Sequence, residues 1–236
     1  MRATILVAAA LLAAISLPAA AASAPPTLVA QPMGPSRWEA SFAAFAADDA
    51  LHPHPPGGVL FVGSSSIRLW NDLENQFSDL PVVIKRGFGG SQLTDCVKHL
   101  SRLVLRYAPK TVLVYAGDND LAAGSTPQEV LHRFVAFVDG VRAALPATRI
   151  AYISIKPSPA REALLSKIRA TNTLIRDYAD DAPNVDYIDV FTPMLAANGM
   201  PRRELFRDDA LHLNADGYAL WKRIIRPHLE SRQASR

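Results

Sequence analysis

A serine hydroxyl becomes a useful nucleophile only when a neighbouring base removes its proton. The usual base is histidine, with a carboxylate that fixes its tautomer and stabilises the imidazolium that forms. All three groups occur here in suggestive surroundings. Serines cluster in Gly63-Ser-Ser-Ser66, and Asp209 and His212 stand three residues apart in Arg207-Asp-Asp-Ala-Leu-His212. That spacing lets the carboxylate reach Nδ1 within one turn of chain, leaving Nε2 to face the serine loop. The negative oxygen of a tetrahedral intermediate needs fixed hydrogen-bond donors. Gly90, in Arg86-Gly-Phe-Gly-Gly90, offers a backbone N–H that no side chain obstructs, and Asn119, in Gly117-Asp-Asn-Asp120, offers its amide NH2. The nucleophile's own N–H is the third donor. The chemistry this set supports is acyl transfer.

Each signal alone has an ordinary explanation. Three serines before a helix make an N-cap and a turn, a Gly-x-Gly-Gly run is a tight turn, and Asp-x-x-His arises often by chance. Asp118-Asn-Asp120 does not continue as a calcium loop, because Ala122 holds the next ligand position and no Glu closes it. The Gly-x-Ser-x-Gly elbow is absent, since Ile67 stands where its second Gly belongs. His52, His54, His99, His132 and His228 show no paired ligand spacing, which leaves them solvated or packing roles. Arg68 and Trp70 fit packing or capping better than binding. Lys156-Pro-Ser-Pro-Ala-Arg161 reads either as a pocket wall or as a stiff proline loop entering a helix near Ala160.

What would bring the four segments together is the order of the elements around them. Short continuous apolar runs at Val59–Val62, Val82–Ile84, Thr111–Tyr115, Ile150–Ile153 and Val185–Ile188 suit strands buried on both faces. Helical patterns lie between them near 66–76, 92–107, 127–144 and 160–181, with a last one near 215–230 and a short amphipathic one over Trp38–Ala50. Strands alternating with helices predict one parallel sheet covered on both faces. Functional groups in such sheets gather in loops beyond the carboxyl ends of the strands. The serine, glycine-rich, Gly117–Asp120 and Asp209–His212 segments each follow a strand, so all four should meet on one rim.

Phe61-Val-Gly-Ser-Ser65, Gly87-Phe-Gly-Gly90, Gly117-Asp-Asn-Asp120 and Asp209-Ala-Leu-His212 resemble, in order, the four signature blocks of the SGNH (GDSL-type) hydrolases. They span the chain from about 59 to 225, and the glycine-rich second block resembles the platelet-activating-factor acetylhydrolase-like branch. The resemblance implies a three-layer α/β/α, flavodoxin-like fold with a five-stranded parallel sheet, and a serine esterase that needs no metal or cofactor. By position it implies Ser65 as nucleophile, Asp209 and His212 as its triad partners, and Ser65, Gly90 and Asn119 as the oxyanion hole. Ser64 departs from the Asp usual in the first block.

The chain has 236 residues, 49% of them hydrophobic and 20% charged, which is too apolar for a disordered protein. Its one cysteine, Cys96, can make no internal disulfide or Cys-rich metal site and reads as a buried thiol. The formal charge of +3 comes from Lys and Arg scattered among acids, a poor footing for nucleic-acid binding. Met1-Arg2, an apolar run over about Ile5–Leu17 and small residues through Ala24 make a secretory signal peptide over 1–22, cleaved after Ala22. Residues 23–36 then form a linker or arm, and 37–236 a single domain. The expected protein is an exported, periplasmic or secreted esterase for short acyl esters of carbohydrates or small molecules, with no stable membrane insertion. The other readings are a glycan-binding module on the same fold and a lysophospholipase or thioesterase of the same superfamily.

Overall fold

The computed structural model describes residues 37–230. The signal peptide expected over 1–22 and the arm over 23–36 lie outside the described residues. The elements run α1 (Glu39–Leu51), β1 (Val59–Gly63), α2 (Ser65–Arg68), α3 (Leu73–Gln76), β2 (Val83–Gly87), α4 (Leu93–Lys98), α5 (Leu100–Leu103) and β3 (Thr111–Tyr115). They continue with α6 (Asp118–Ala122), α7 (Pro127–Ala144), β4 (Arg149–Ile153), α8 (Leu165–Asp181), β5 (Val185–Ile188) and α9 (Ala215–Glu230). The sheet order is β2-β1-β3-β4-β5 and every pairing is parallel. This is the three-layer architecture that the alternating pattern predicts.

The period of two along a strand divides the core cleanly. Leu60 and Val62, Val112 and Val114, and Ile150 and Tyr152 face one side, under a cluster that includes Phe42, Leu93, Phe134, Phe137, Ile168 and Ile175. Phe61, Leu113, Tyr115, Ala151 and Ile153 face the other, under Ile67, Trp70, Phe77, Tyr218 and Trp221. The first layer is therefore built by α1, α4, α5, α7 and α8, and the second by α2, α3 and α9. In α7 the buried set Val130, Phe134, Phe137, Val138 and Val141 has helical spacing. Its start is set by Thr126, Pro127 and a capping-box Glu129. Each fully buried side chain of this size contributes about 1.5–3 kcal/mol.

Several boundaries differ from the sequence reading. β2 runs on to Gly87, so Arg86 belongs to a strand, where its buried guanidinium bonds Tyr107 Oη at 2.7 Å and also Asp49. The pattern near 66–76 divides into α2 and α3, and that near 92–107 into α4, α5 and a 3-10 turn at Leu105–Tyr107. The pattern over 160–181 opens with a 3-10 turn, Pro159–Leu164, before α8. The loop expected after β3 contains α6. Apolar spacing carries across breaks of one to four residues, so periodicity alone cannot see these interruptions. Cys96 is fully buried, and burial pushes its thiol well up, away from reactivity.

Candidate active site

The carboxyl ends of the strands are joined to one another before any side chain enters. Gly63 ends β1 with φ +141°, and a Cβ there would lie 1.9 Å from the Tyr115 carbonyl oxygen. Only glycine allows the first loop to close on β3 so tightly. Ser64 N–H then donates to the Tyr115 carbonyl at 2.9 Å, and Phe88 N–H to the Gly63 carbonyl at 2.9 Å. The first and second loops are thereby fixed against the ends of β1 and β3.

The chain turns sharply into α2, whose first residue is Ser65. Ser65 Oγ lies 2.9 Å from His212 Nε2, and His212 Nδ1 lies 2.6 Å from Asp209 Oδ2. The other Asp209 oxygen accepts the backbone N–H groups of Leu211 and His212, both at 2.9 Å. Burial raises the Asp209 carboxyl pKa, but these N–H donors and the imidazole outweigh that and hold it well below the usual carboxylate range. The segment carrying the pair is braced by Arg207 N–H to the His212 carbonyl at 2.8 Å and by Arg203, whose guanidinium donates to the Arg207 carbonyl at 2.8 Å. Ala210 takes a left-handed φ of +55° inside this turn.

Gly90 has φ +73°, and its carbonyl accepts from Arg37 Nη2 at 2.9 Å, while that of Gly89 accepts from Trp38 Nε1 at 2.8 Å. Among the described residues no acceptor engages the N–H of Gly90 or of Ser65. Asn119, in α6, donates from Nδ2 to the Ser91 carbonyl at 3.0 Å, which brings the third segment against the second. Asp120 completes that contact by accepting Leu93 N–H at 3.2 Å and Arg133 Nη1 at 2.8 Å. The structure thus joins Ser65, His212 and Asp209 in one hydrogen-bonded row, and seats Asn119 at the corner that carries Gly90.

Two cations at this rim were not identified as site groups by their sequence positions. Lys156 is buried and lies 3.0 Å from Tyr115 Oη and 3.2 Å from Asp118 Oδ2. Arg161 bonds Asn119 Oδ1 at 2.8 Å and lies 3.1 Å from the same Asp118 oxygen. Burial would raise the Asp118 carboxyl pKa, yet Lys156 and Arg161 together hold it below its ordinary value. The sequence signal was a basic residue at each end of a proline-rich segment that follows a strand. Trp70, by contrast, is core, stacked on Tyr218 with ring centroids 5.1 Å apart. Arg68 lays its guanidinium against Gly89.

Elsewhere, Asp48, Asp49 and His54 bring three ligand-type atoms close together. The Arg86 guanidinium already bonds Asp49, lies 3.3 Å from Asp48 Oδ2 and 3.1 Å from His54 Nε2, so the group is satisfied by a side-chain cation. A cavity of about 650 Å³ lies at the opposite end of the sheet, beside Val59, Thr111 and Arg149, the first residues of their strands. It is remote from this chemistry. No helix among the described residues is long and apolar enough to cross a membrane.

Solved structures share this architecture. A GDSL-like lipase from Bacteroides thetaiotaomicron is 20% identical, covering 80% of this chain and 97% of that one, with a TM-score of 0.70. A Streptococcus pneumonia protein named for platelet activating factor is 22% identical over 81% of this chain and 92% of that one, TM-score 0.72. A carbohydrate esterase family 3 protein from Talaromyces cellulolyticus is 20% identical over 73% and 96%, TM-score 0.60. No curated protein matches the chain significantly. The profile of the GDSL-like Lipase/Acylhydrolase family matches residues 61–220, which include the first three blocks, Asp209 and His212. With that match spanning most of the chain, this protein belongs to the GDSL-like lipase/acylhydrolase family and is an ester hydrolase.

Proposed function

We propose that this protein is an exported serine esterase that removes short acyl groups, acetyl above all, from carbohydrates or small alcohols. The observation that carries the mechanism is the row Ser65 Oγ–His212 Nε2–Nδ1–Asp209 Oδ2, with separations of 2.9 and 2.6 Å. Nδ1 donates to the carboxylate, so Nε2 is left to accept the serine proton. As Oγ attacks the acyl carbon, the carbonyl oxygen becomes an oxyanion held by the N–H groups of Ser65 and Gly90 and by the Asn119 amide. Collapse breaks the ester C–O bond, and His212 returns the proton to the departing alcohol. Water, deprotonated by the same imidazole, then hydrolyses the acyl-enzyme and restores Ser65. Every step uses this chain's own residues.

The substrate class rests on likeness to a neighbour of the same fold. The shared fold of the carbohydrate esterase from Talaromyces cellulolyticus agrees with that reading. Export rests on the basic start and short apolar run of the first residues, and N-terminal sequencing of protein from an export-competent host should begin at Ser23. An intact Met1 in the exported fraction would refute cleavage.

A panel of p-nitrophenyl acetate, butyrate and octanoate, with peracetylated sugars alongside, tests the activity directly. We expect kcat/KM to be highest for acetate and to fall with chain length, with acetate released from the sugars. Rates that climb toward octanoate would instead point to a lysophospholipase or thioesterase. Folded protein that hydrolyses none of them would be a glycan-binding module.

A further inference from the structure

We infer that Arg161 is a positioning residue of the oxyanion hole, orienting and polarising the Asn119 carboxamide; the inference rests on the reading of Asn119 as an oxyanion donor. An asparagine amide can occupy a site in two ways, with its oxygen and nitrogen exchanged, and its neighbours decide which. Arg161 Nη2, which can only donate, lies 2.8 Å from Oδ1, and the Ser91 carbonyl, which can only accept, lies 3.0 Å from Nδ2. The flipped amide would set NH2 against a guanidinium and oxygen against a carbonyl, losing both bonds and gaining two repulsions. One amide hydrogen is committed to Ser91, which leaves the second for an incoming oxygen on the reading of Asn119 as an oxyanion donor.

Arg161 is itself held by a buried ion cluster. Its Nη1 lies 3.1 Å from Asp118 Oδ2, and the same oxygen takes Lys156 Nζ at 3.2 Å and Tyr115 Oη at 3.2 Å. The other oxygen of Asp118 accepts the backbone N–H of Asn119 at 2.9 Å, so the anchor and the anchored residue are chain neighbours. The turn that presents Arg161 is tied to the histidine segment by Ala160 N–H donating to the Ala210 carbonyl at 3.0 Å. Arg161 thus meets the oxyanion side of the site while its loop is bonded to the triad side.

A guanidinium on the amide oxygen draws electron density from the nitrogen and strengthens the remaining N–H as a donor. The gain is greatest when the acceptor carries full negative charge, in the transition state, and small for a neutral ester carbonyl. The effect therefore belongs in kcat and not in KM.

The test is a double-mutant cycle on p-nitrophenyl acetate with R161M, N119A and the double variant, with melting temperatures measured beside the kinetics. N119A should lose ~10²–10³ in kcat. R161M should lose roughly tenfold or somewhat more with KM within about twofold, and should cost almost nothing on the N119A background, because its route to the reaction is already gone. An equal loss on both backgrounds, or an R161M enzyme with wild-type kcat, overturns the inference while a slow N119A leaves the esterase mechanism standing. If N119A itself runs at the wild-type rate, the oxyanion assignment fails and the role of Arg161 with it. Should R161M not fold, the cycle is repeated with R161K. That variant keeps the buried charge but cannot span Asn119 and Asp118 together, so it should show a smaller loss that likewise vanishes with N119A.

Discussion

Ser65→Ala is expected to abolish ester turnover, with kcat lower by on the order of 10⁴–10⁶, whereas Ser64→Ala and Ser66→Ala retain most of it. Three consecutive serines offer three hydroxyls, yet only one faces the base. Ser64 and Ser66 are fully buried, and their hydroxyl oxygens have no hydrogen-bond partner among the described residues. Ser65 is part-exposed, with Oγ 2.9 Å from His212 Nε2. Removing one buried hydroxyl from Ser64 or Ser66 takes away no bond, so those variants should also keep their melting temperatures. Comparison of kcat for the three folded variants decides the matter. Residual activity above a few per cent in Ser65→Ala, with a collapse in one of the others, would move the nucleophile to that position.

The second large effect is expected from the other two members of the row. His212→Ala removes the base and should approach the loss in Ser65→Ala. Asp209→Asn keeps the size of the side chain but replaces an acceptor with an amide, which no longer stabilises an imidazolium or enforces Nδ1–H. A change of this kind costs about 10⁴ where the acid is buried. With the Asp209 side chain 47% exposed, solvent screening makes the lower end, about 10²–10³, the expectation here. The Asp209→Asn/His212→Ala double variant should be little worse than His212→Ala, because the groups act as one unit. Multiplying losses would show that they work independently.

The pH profile separates the two groups further. A histidine base must be neutral to accept a proton, so kcat/KM should fall in acid as the base becomes protonated. The Asp209 carboxyl is held below its ordinary value. It is therefore ionised from about pH 5 upward and should add no limb of its own there. The sign is that of a depressed carboxyl: its ionic partnership is present above the ordinary carboxylate pKa and is lost only in stronger acid. A flat profile from pH 5 to 9 would argue that no histidine base operates in the rate-limiting step.

The parallel sheet, and the segments proposed to carry the site, could be read from the sequence. β3 and β5 have the bounds read for them: β3 is buried at every residue and its run stops at Lys110 and Gly117, whereas β5, at the sheet edge, carries Asp186, which pairs with Arg149. The segments proposed to carry the chemistry stood out because each follows a strand, but the residues alone left three serines open, and Ser65 was singled out only by the resemblance to the signature blocks. The division of 66–76 and 92–107 into α2 to α5, and the presence of α6, were not legible, since a segment of four to six residues is too brief to display a period. Arg86 looked like part of a loop and is instead strand and core, its charge accommodated by Asp49 and Tyr107 from distant segments. The cluster around Asp118 left still less trace, because Lys156 lies 38 positions from Asp118 and Arg161 lies 42 from Asn119, and they meet only across the ends of the sheet. Residue type and order along the chain determine which groups can do chemistry. Which hydroxyl meets the imidazole, and which cation meets the asparagine amide, was decided only when packing brought separate strand ends to one rim.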